Sequence, residues 1–201
     1  MRSQVQVLHN TIYMSPLLIV LIALAAILIW IVAIYNALVR LRNRTKEGWS
    51  DIDVQLKRRH DLIPNLVSSV KGYMKHEKEL LENVTKLRSQ AMDAQKSGNN
   101  TELAKVEGQL GGMLGKLQIA VEAYPDLKAN QNVGQLMDEL SDTENKIQSS
   151  RRFYNSMVRD FNTKIEQFPS SIIAGMFHFM KFDFFEVEDA SERKNVKVDL
   201  S

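Results

Sequence analysis

The residues in this 201-residue chain whose types and spacing could do chemistry are its four histidines, the run Arg58-Arg59-His60-Asp61 and four crowded glycines. A carboxylate beside a histidine can orient the ring, so Arg59-His60-Asp61 has the look of an active site. Adjacent residues on a helix do not face each other, however, and no nucleophile is tied to the junction by spacing. The run therefore reads first as a polar helix junction with Asp61 capping the next helix, and an enzyme built on it ranks behind the other readings. His9, His60, His76 and His178 never fall at a metal-binding spacing. His76-Glu77 lacks the second histidine of an H-E-x-x-H helix, and no glutamate has a histidine three residues on, as a di-metal bundle requires. Gly108, Gly111, Gly112 and Gly115 interleave with Leu110, Met113, Leu114 and Leu117, inside a helical stripe. That is no phosphate loop, and small residues at this spacing predict close helix packing. Glu144, Lys146 and Arg151, along the longest helix, could form interhelical ion pairs, with solvated or register-fixing polar contacts as the default reading. The expectation is thus no catalytic, cofactor-binding or metal residue. With no cysteine, disulfides and thiolate chemistry are excluded, and a net charge of +2 lacks the basic excess of a nucleic-acid binder.

The elements that must position these residues are helices. Stripe residues recur mostly in steps of three and four along Leu66, Val70 and Tyr73, along Leu103, Val106, Leu110, Met113, Leu117, Val121 and Tyr124, and along Val133, Leu136, Leu140, Thr143, Ile147, Tyr154, Val158, Phe161, Ile165 and Phe168. Pro64 lacks an N–H and clashes with the carbonyl four residues back, so a break is predicted at 60–64. Ser97-Gly98-Asn99-Asn100-Thr101, with Asn100 or Thr101 as cap, Tyr124-Pro125-Asp126 and Phe168-Pro169 supply the others. The predicted helices are about 36–59, 64–96, 102–124 and 130–168. Short connections make neighbours antiparallel. The fold class is all-α: an N-terminal transmembrane helix continuing into an antiparallel up-and-down four-helix bundle over residues 40–185. A single kinked helix from 17 to 96, giving three helices, is the alternative.

Leu17 to Ile34 is an unbroken run of 18 apolar residues. At 1.5 Å per residue it reaches about 27 Å, close to the thickness of a bilayer's hydrocarbon. It is longer than a signal-peptide core and is followed by Tyr35-Asn36-Ala37-Leu38-Val39-Arg40, a poor cleavage site. Residues 17–39 are therefore expected to span a membrane. Arg40, Arg42, Arg44 and Lys46 follow before the first acid, which predicts a cytoplasmic C-terminal domain and residues 1–16 outside. In the bundle the last helix returns toward the membrane, carrying residues 169–185 with it. That stretch holds Phe177, Phe179, Phe182, Phe184 and Phe185. They either finish the core at the open end of the bundle or form an apolar patch for lipid, a second copy or a partner. Residues 186–201 are polar and expected to be disordered.

Several motifs are recognisable. Tyr35-Asn36-Ala37-Leu38-Val39, the long run Trp49-Ser50-Asp51-Ile52-Asp53-Val54-Gln55-Leu56-Lys57-Arg58-Arg59-His60-Asp61-Leu62-Ile63-Pro64-Asn65-Leu66-Val67, Tyr124-Pro125-Asp126-Leu127-Lys128-Ala129-Asn130, Thr143-Glu144-Asn145-Lys146-Ile147 and Phe168-Pro169 resemble the LemA family of bacterial membrane proteins. Tyr73, His76-Glu77, Arg151 and Tyr154-Asn155 add to the match, whereas Gly48 and Val133-Gly134 depart from it. The resemblance implies a single-pass inner-membrane protein with a cytoplasmic helical bundle, no established activity and no assigned site. It also implies a loose link to magnetosome membranes and to membrane-protease neighbourhoods. The functional expectation is a membrane-anchored scaffold or adaptor working through self-association or other membrane proteins. An oligomeric membrane-remodelling protein is the alternative, with the lipid bilayer a partner in either reading.

Overall fold

The computed structural model describes residues 15–186, which are all-helical with no strand among them. Residues 1–14 of the expected outer segment and 187–201 of the expected tail lie outside the described residues. The helices are α1 (Pro16–Val70), α2 (Lys78–Ser97), α3 (Asn100–Glu122), α4 (Pro125–Lys128), α5 (Gln131–Glu166) and α6 (Ser170–Met176). Their ends follow local chemistry. Ser15 Oγ accepts from Leu18 N–H, with Pro16 at the start of α1. Gly98, at φ 69°, closes α2 in the left-handed region. Asn99 caps α3, one or two residues ahead of the expected cap, and Asn130 caps α5.

The expected break at 60–64 does not occur. α1 runs through Pro64 to Val70, and the chain turns instead over residues 71–77. Both divisions drawn from the sequence, 36–59 with 64–96 and a single helix over 17–96, are corrected by this. The physical reason lies on another helix. Pro64 cannot donate to the His60 carbonyl, and Arg88 Nε from α2 donates to it at 2.6 Å. A distant side chain replaces the missing helical hydrogen bond. Asp61 consequently stands exposed in mid-helix and caps nothing.

α1 and α5 form the frame. Gly48 lets them approach closely, since a Cβ there would lie 3.3 Å from Tyr154 Cα. The pairs Trp49–Tyr154 and Arg59–Glu144 show the two helices to be antiparallel. Arg88 on His60 and Gln95 on Asp53, at 2.5 Å, set α2 antiparallel to α1. At 36 residues, α5 spans about 54 Å; α2 and α3, at 20 and 23 residues, span only about 30–35 Å. The α2–α3 hairpin therefore covers only the half of the frame far from the apolar run. Along the near half its place is taken by residues 177–186. Asn155 and Asn162 hold this strap by bonding both backbone groups of Phe185 (2.9 and 3.2 Å) and of Phe182 (3.0 and 2.9 Å).

The core is layered along the frame. A far cluster joins Ile63, Leu66, Leu110, Leu117 and Val133. A middle cluster joins Ile52, Leu56, Leu103, Ile147 and Phe185. A near cluster joins Ile34 and Leu38 to Ile173 and Ala174 of α6. Between the far and middle clusters lies a charged layer.

Candidate functional site

The charged layer is built from residues in core register. Arg59 continues the stripe Ile52, Leu56, Ile63 of α1, and Glu107 sits between Leu103 and Leu110 of α3. Each helix thus delivers a charge where its neighbours bury apolar groups. The Arg59 guanidinium pairs with Glu107 through Nη2 and with Glu144 of α5 through Nη1. His60 Nε2 lies 2.6 Å from the other Glu107 oxygen. A carboxylate only accepts, so that nitrogen carries the proton. Burial pushes the Glu107 carboxyl up, but the His60 hydrogen bond and the Arg59 and His60 charges outweigh it and hold the group below its usual range. Arg59 and His60 are each only 2% exposed. The cluster ties α1 to α3 and α5, and Arg88 adds α2 through the His60 carbonyl. It offers a guanidinium, an imidazole and two carboxylates without a nucleophile, which suits fixing register rather than turning over a substrate.

His60 and Arg59 are thus brought to one place, while Asp61 is turned away. Glu144 finds the interhelical partner its position suggested. Glu107 and Arg88 were not singled out from the sequence, although both carry a readable signal: a charge at a position where the helical stripe demands an apolar residue. Among the described residues no group of His, Asp and Glu is arranged to hold a metal ion.

Beside the cluster, α3 and α5 enclose a groove of about 330 Å³ lined by Gly108, Gly111, Gly112, Gln148 and Arg152 together with the Arg59–Glu144 pair. Gly111, Gly112 and Gly115 do not serve close packing, and for them that expectation is corrected. A Cβ at Gly111 would stand 3.8 Å from Arg59 Nη1, and at Gly112 or Gly115 it would meet nothing within 4 Å. The Arg59–Glu144 pair stands beside Gly111, and the glycine face lines the groove.

The phenylalanines of the C-terminal stretch separate into two sets. Phe185 is buried against Trp49, with ring centroids 5.6 Å apart, and the Arg151 guanidinium lies over its ring. Phe182 packs on Phe161 (5.3 Å), and Phe179 is wedged between Phe161, Tyr35 and Arg42. Phe177 touches Tyr35 at 4.7 Å yet stays half-exposed, and Phe184 is exposed. Tyr154 donates to the Asp183 carbonyl at 2.9 Å, with its phenol pushed up to about 12 by burial and the Asp183 charge. Four further large apolar groups outside the five phenylalanines singled out, Phe168, Ile172, Met176 and Met180, are exposed around α6.

Comparison with known proteins places these features. The model of the LemA family matches residues 48–200, a region that contains Arg59, His60, Glu107 and Glu144. Protein LemA of Metamycoplasma hominis is 32% identical over 168 residues, covering 83% of this chain and 74% of its own. Magnetosome protein MamQ 2 of Paramagnetospirillum magneticum is 23% identical over 181 residues, covering 79% of this chain and 66% of its own. Magnetosome protein MamQ of Magnetospirillum gryphiswaldense is 23% identical over 194 residues, covering 85% and 71%.

Proposed function

The chain belongs to the LemA family, and from that premise we propose that it is a membrane-tethered helical scaffold or adaptor. It works at the cytoplasmic face of a bacterial inner membrane, through self-association or binding of other membrane proteins. One observation carries the reading: the apolar run and the first helix of the bundle are a single uninterrupted helix. Its apolar window is only 6% buried, unlike the core helix of a soluble protein. Cleavage after that window would cut inside a continuous helix that packs onward through Ile34 and Leu38. The basic residues Arg40, Arg42, Arg44 and Lys46 favour a cytoplasmic bundle. A tether confines the bundle to the bilayer face and so raises its effective concentration for partners there. The α3–α5 groove is the recessed surface such a partner would meet.

The test is solubilisation of the full-length protein in mild detergent, with mass measurement and cross-linking in native membranes. A defined oligomer or a recovered membrane partner supports the scaffold; a strict monomer with none overturns it. Protease accessibility in spheroplasts and inverted vesicles tests orientation separately, the bundle being cut only in the inverted ones. Membrane remodelling is the second reading, favoured by the exposed apolar groups around α6 and by the magnetosome relatives. Liposomes left unchanged by the purified oligomer would remove it. An enzyme at Arg59-His60 is disfavoured by the burial of both side chains.

A further inference from the structure

We propose that α6 and its flanks are a second membrane contact, an in-plane wedge seated in the leaflet where α1 leaves the hydrocarbon. The inference rests on the tether reading above and deepens it by assigning a site and its ligand, the lipid surface.

The sequence from Gln167 to Met180 contains no Asp, Glu, Lys or Arg. The uncharged loop is closed at its base by an ion pair between Glu166 and Lys181. Within it, α6 sorts its side chains. Ser170, Ile173 and Ala174 are buried, the last two against Ile34 and Leu38 of α1. Ile172, Met176 and Phe177 face outward, and Phe168 and Met180 on either side are each 81% exposed. Large apolar groups gathered on one face, with no protein over them, mark an interaction surface.

The depth of that surface identifies what covers it. A hydrocarbon layer of about 30 Å takes about 20 helical residues. Counted from Pro16, where α1 begins, the layer ends near Tyr35. The near cluster joins α6 to Ile31, Ile34 and Tyr35, the last turn inside the layer, and to Leu38 one turn beyond. Arg42, whose guanidinium lies 5.3 Å from the Phe179 ring, follows at the level of the headgroups. The outward face of α6 is therefore level with the last turns of the apolar run of α1, where Trp30 and Val32 are also exposed. An apolar face at this height, with cations just below it, fits the boundary between acyl chains and headgroups. A second copy of the chain would have to displace lipid from both surfaces at once to cover it.

The chain has no cysteine, so a single introduced one carries a unique label. Full-length protein with Ile172→Cys or Met176→Cys, bearing an environment-sensitive fluorophore, is reconstituted into phosphatidylethanolamine–phosphatidylglycerol vesicles. The vesicles are doped with lipid spin-labelled either close to the headgroup or close to the chain end. Leu24→Cys and Ile119→Cys serve as references for the span and for the far end of the bundle. The expected result is blue-shifted emission at 172 and 176, quenched more by the shallow spin label than by the deep one. Leu24 should show the reverse order, and Ile119 should not be quenched. Water-like emission at 172 and 176 with Leu24 quenched overturns the wedge and leaves the tether standing. Emission shielded from water but not quenched by either lipid assigns the face to a second copy and overturns the proposal. No quenching at Leu24 removes the tether, and the wedge with it.

Discussion

Glu107 ties α3 to α1 through one carboxylate, with Arg59 on one oxygen and His60 on the other. Removing its charge leaves a buried guanidinium with half of its partners. Glu107→Gln is expected to destabilise the folded chain by about 3–5 kcal/mol, read by thermal or denaturant unfolding in detergent. Glu144→Gln should cost clearly less, because that carboxylate is partly solvated and water can replace it. The pH dependence has a fixed sign. Glu107 titrates below the usual 4.5 when folded, so on acidification the unfolded chain takes up the proton first. Its contribution is complete above that value and drains away as pH falls from there through the folded value. The wild type should therefore lose melting temperature more steeply over that range than Glu107→Gln. Parallel curves would mean that Glu107 is not the linked group. At this scale the sequence is only half legible. Charges in core register announce that something must neutralise them, but partners 48 and 85 residues away are set by how helices meet.

At the scale of elements, α1 is the instructive case. Pro64 reads locally as a stop, and locally that reading is sound: the His60 carbonyl does lose its helical donor. The helix persists because Arg88 takes the donor's place. Arg88→Leu should cost about 1–3 kcal/mol, the penalty for leaving a buried carbonyl unpaired. In the double variant with Pro64→Ala the cost should shrink, because the new N–H reaches the same carbonyl. Additive effects in the unfolding free energies would refute the exchange of donors. The glycines of α3 are the converse case. If they served packing, alanine would clash; with open space beside them, Gly112→Ala and Gly115→Ala should each stabilise by up to about 1 kcal/mol through helix propensity. A melting temperature that falls instead would restore the packing role.

The whole molecule is a frame of two long helices, filled on its far half by a hairpin and on its near half by the protein's own C-terminal strap. From Tyr35 to Val70, α1 rises about 50 Å. If the tether stands upright, a dye at Ile119→Cys should transfer little energy to acceptor lipids in reconstituted vesicles, and one at Lys46→Cys should transfer efficiently. High transfer from both would mean that the bundle lies along the bilayer. Such a shape separates the end that carries the apolar run, with α6 beside it, from the flank where α3 and α5 border the groove.

The amino-acid sequence by itself determined the all-helical class, the long apolar run and the helical faces. These follow from composition and spacing within a few turns, which is where backbone geometry and the hydrophobic effect act on neighbouring residues. Only the tertiary structure decided that α1 passes through Pro64, that the glycines border a groove, and which phenylalanines are core. Each of those outcomes depends on a side chain arriving from a distant element, Arg88 at His60, Glu107 and Glu144 at Arg59, or Asn155 and Asn162 at the strap. The energy of such a contact exists only once the helices have met, so no local pattern can carry it.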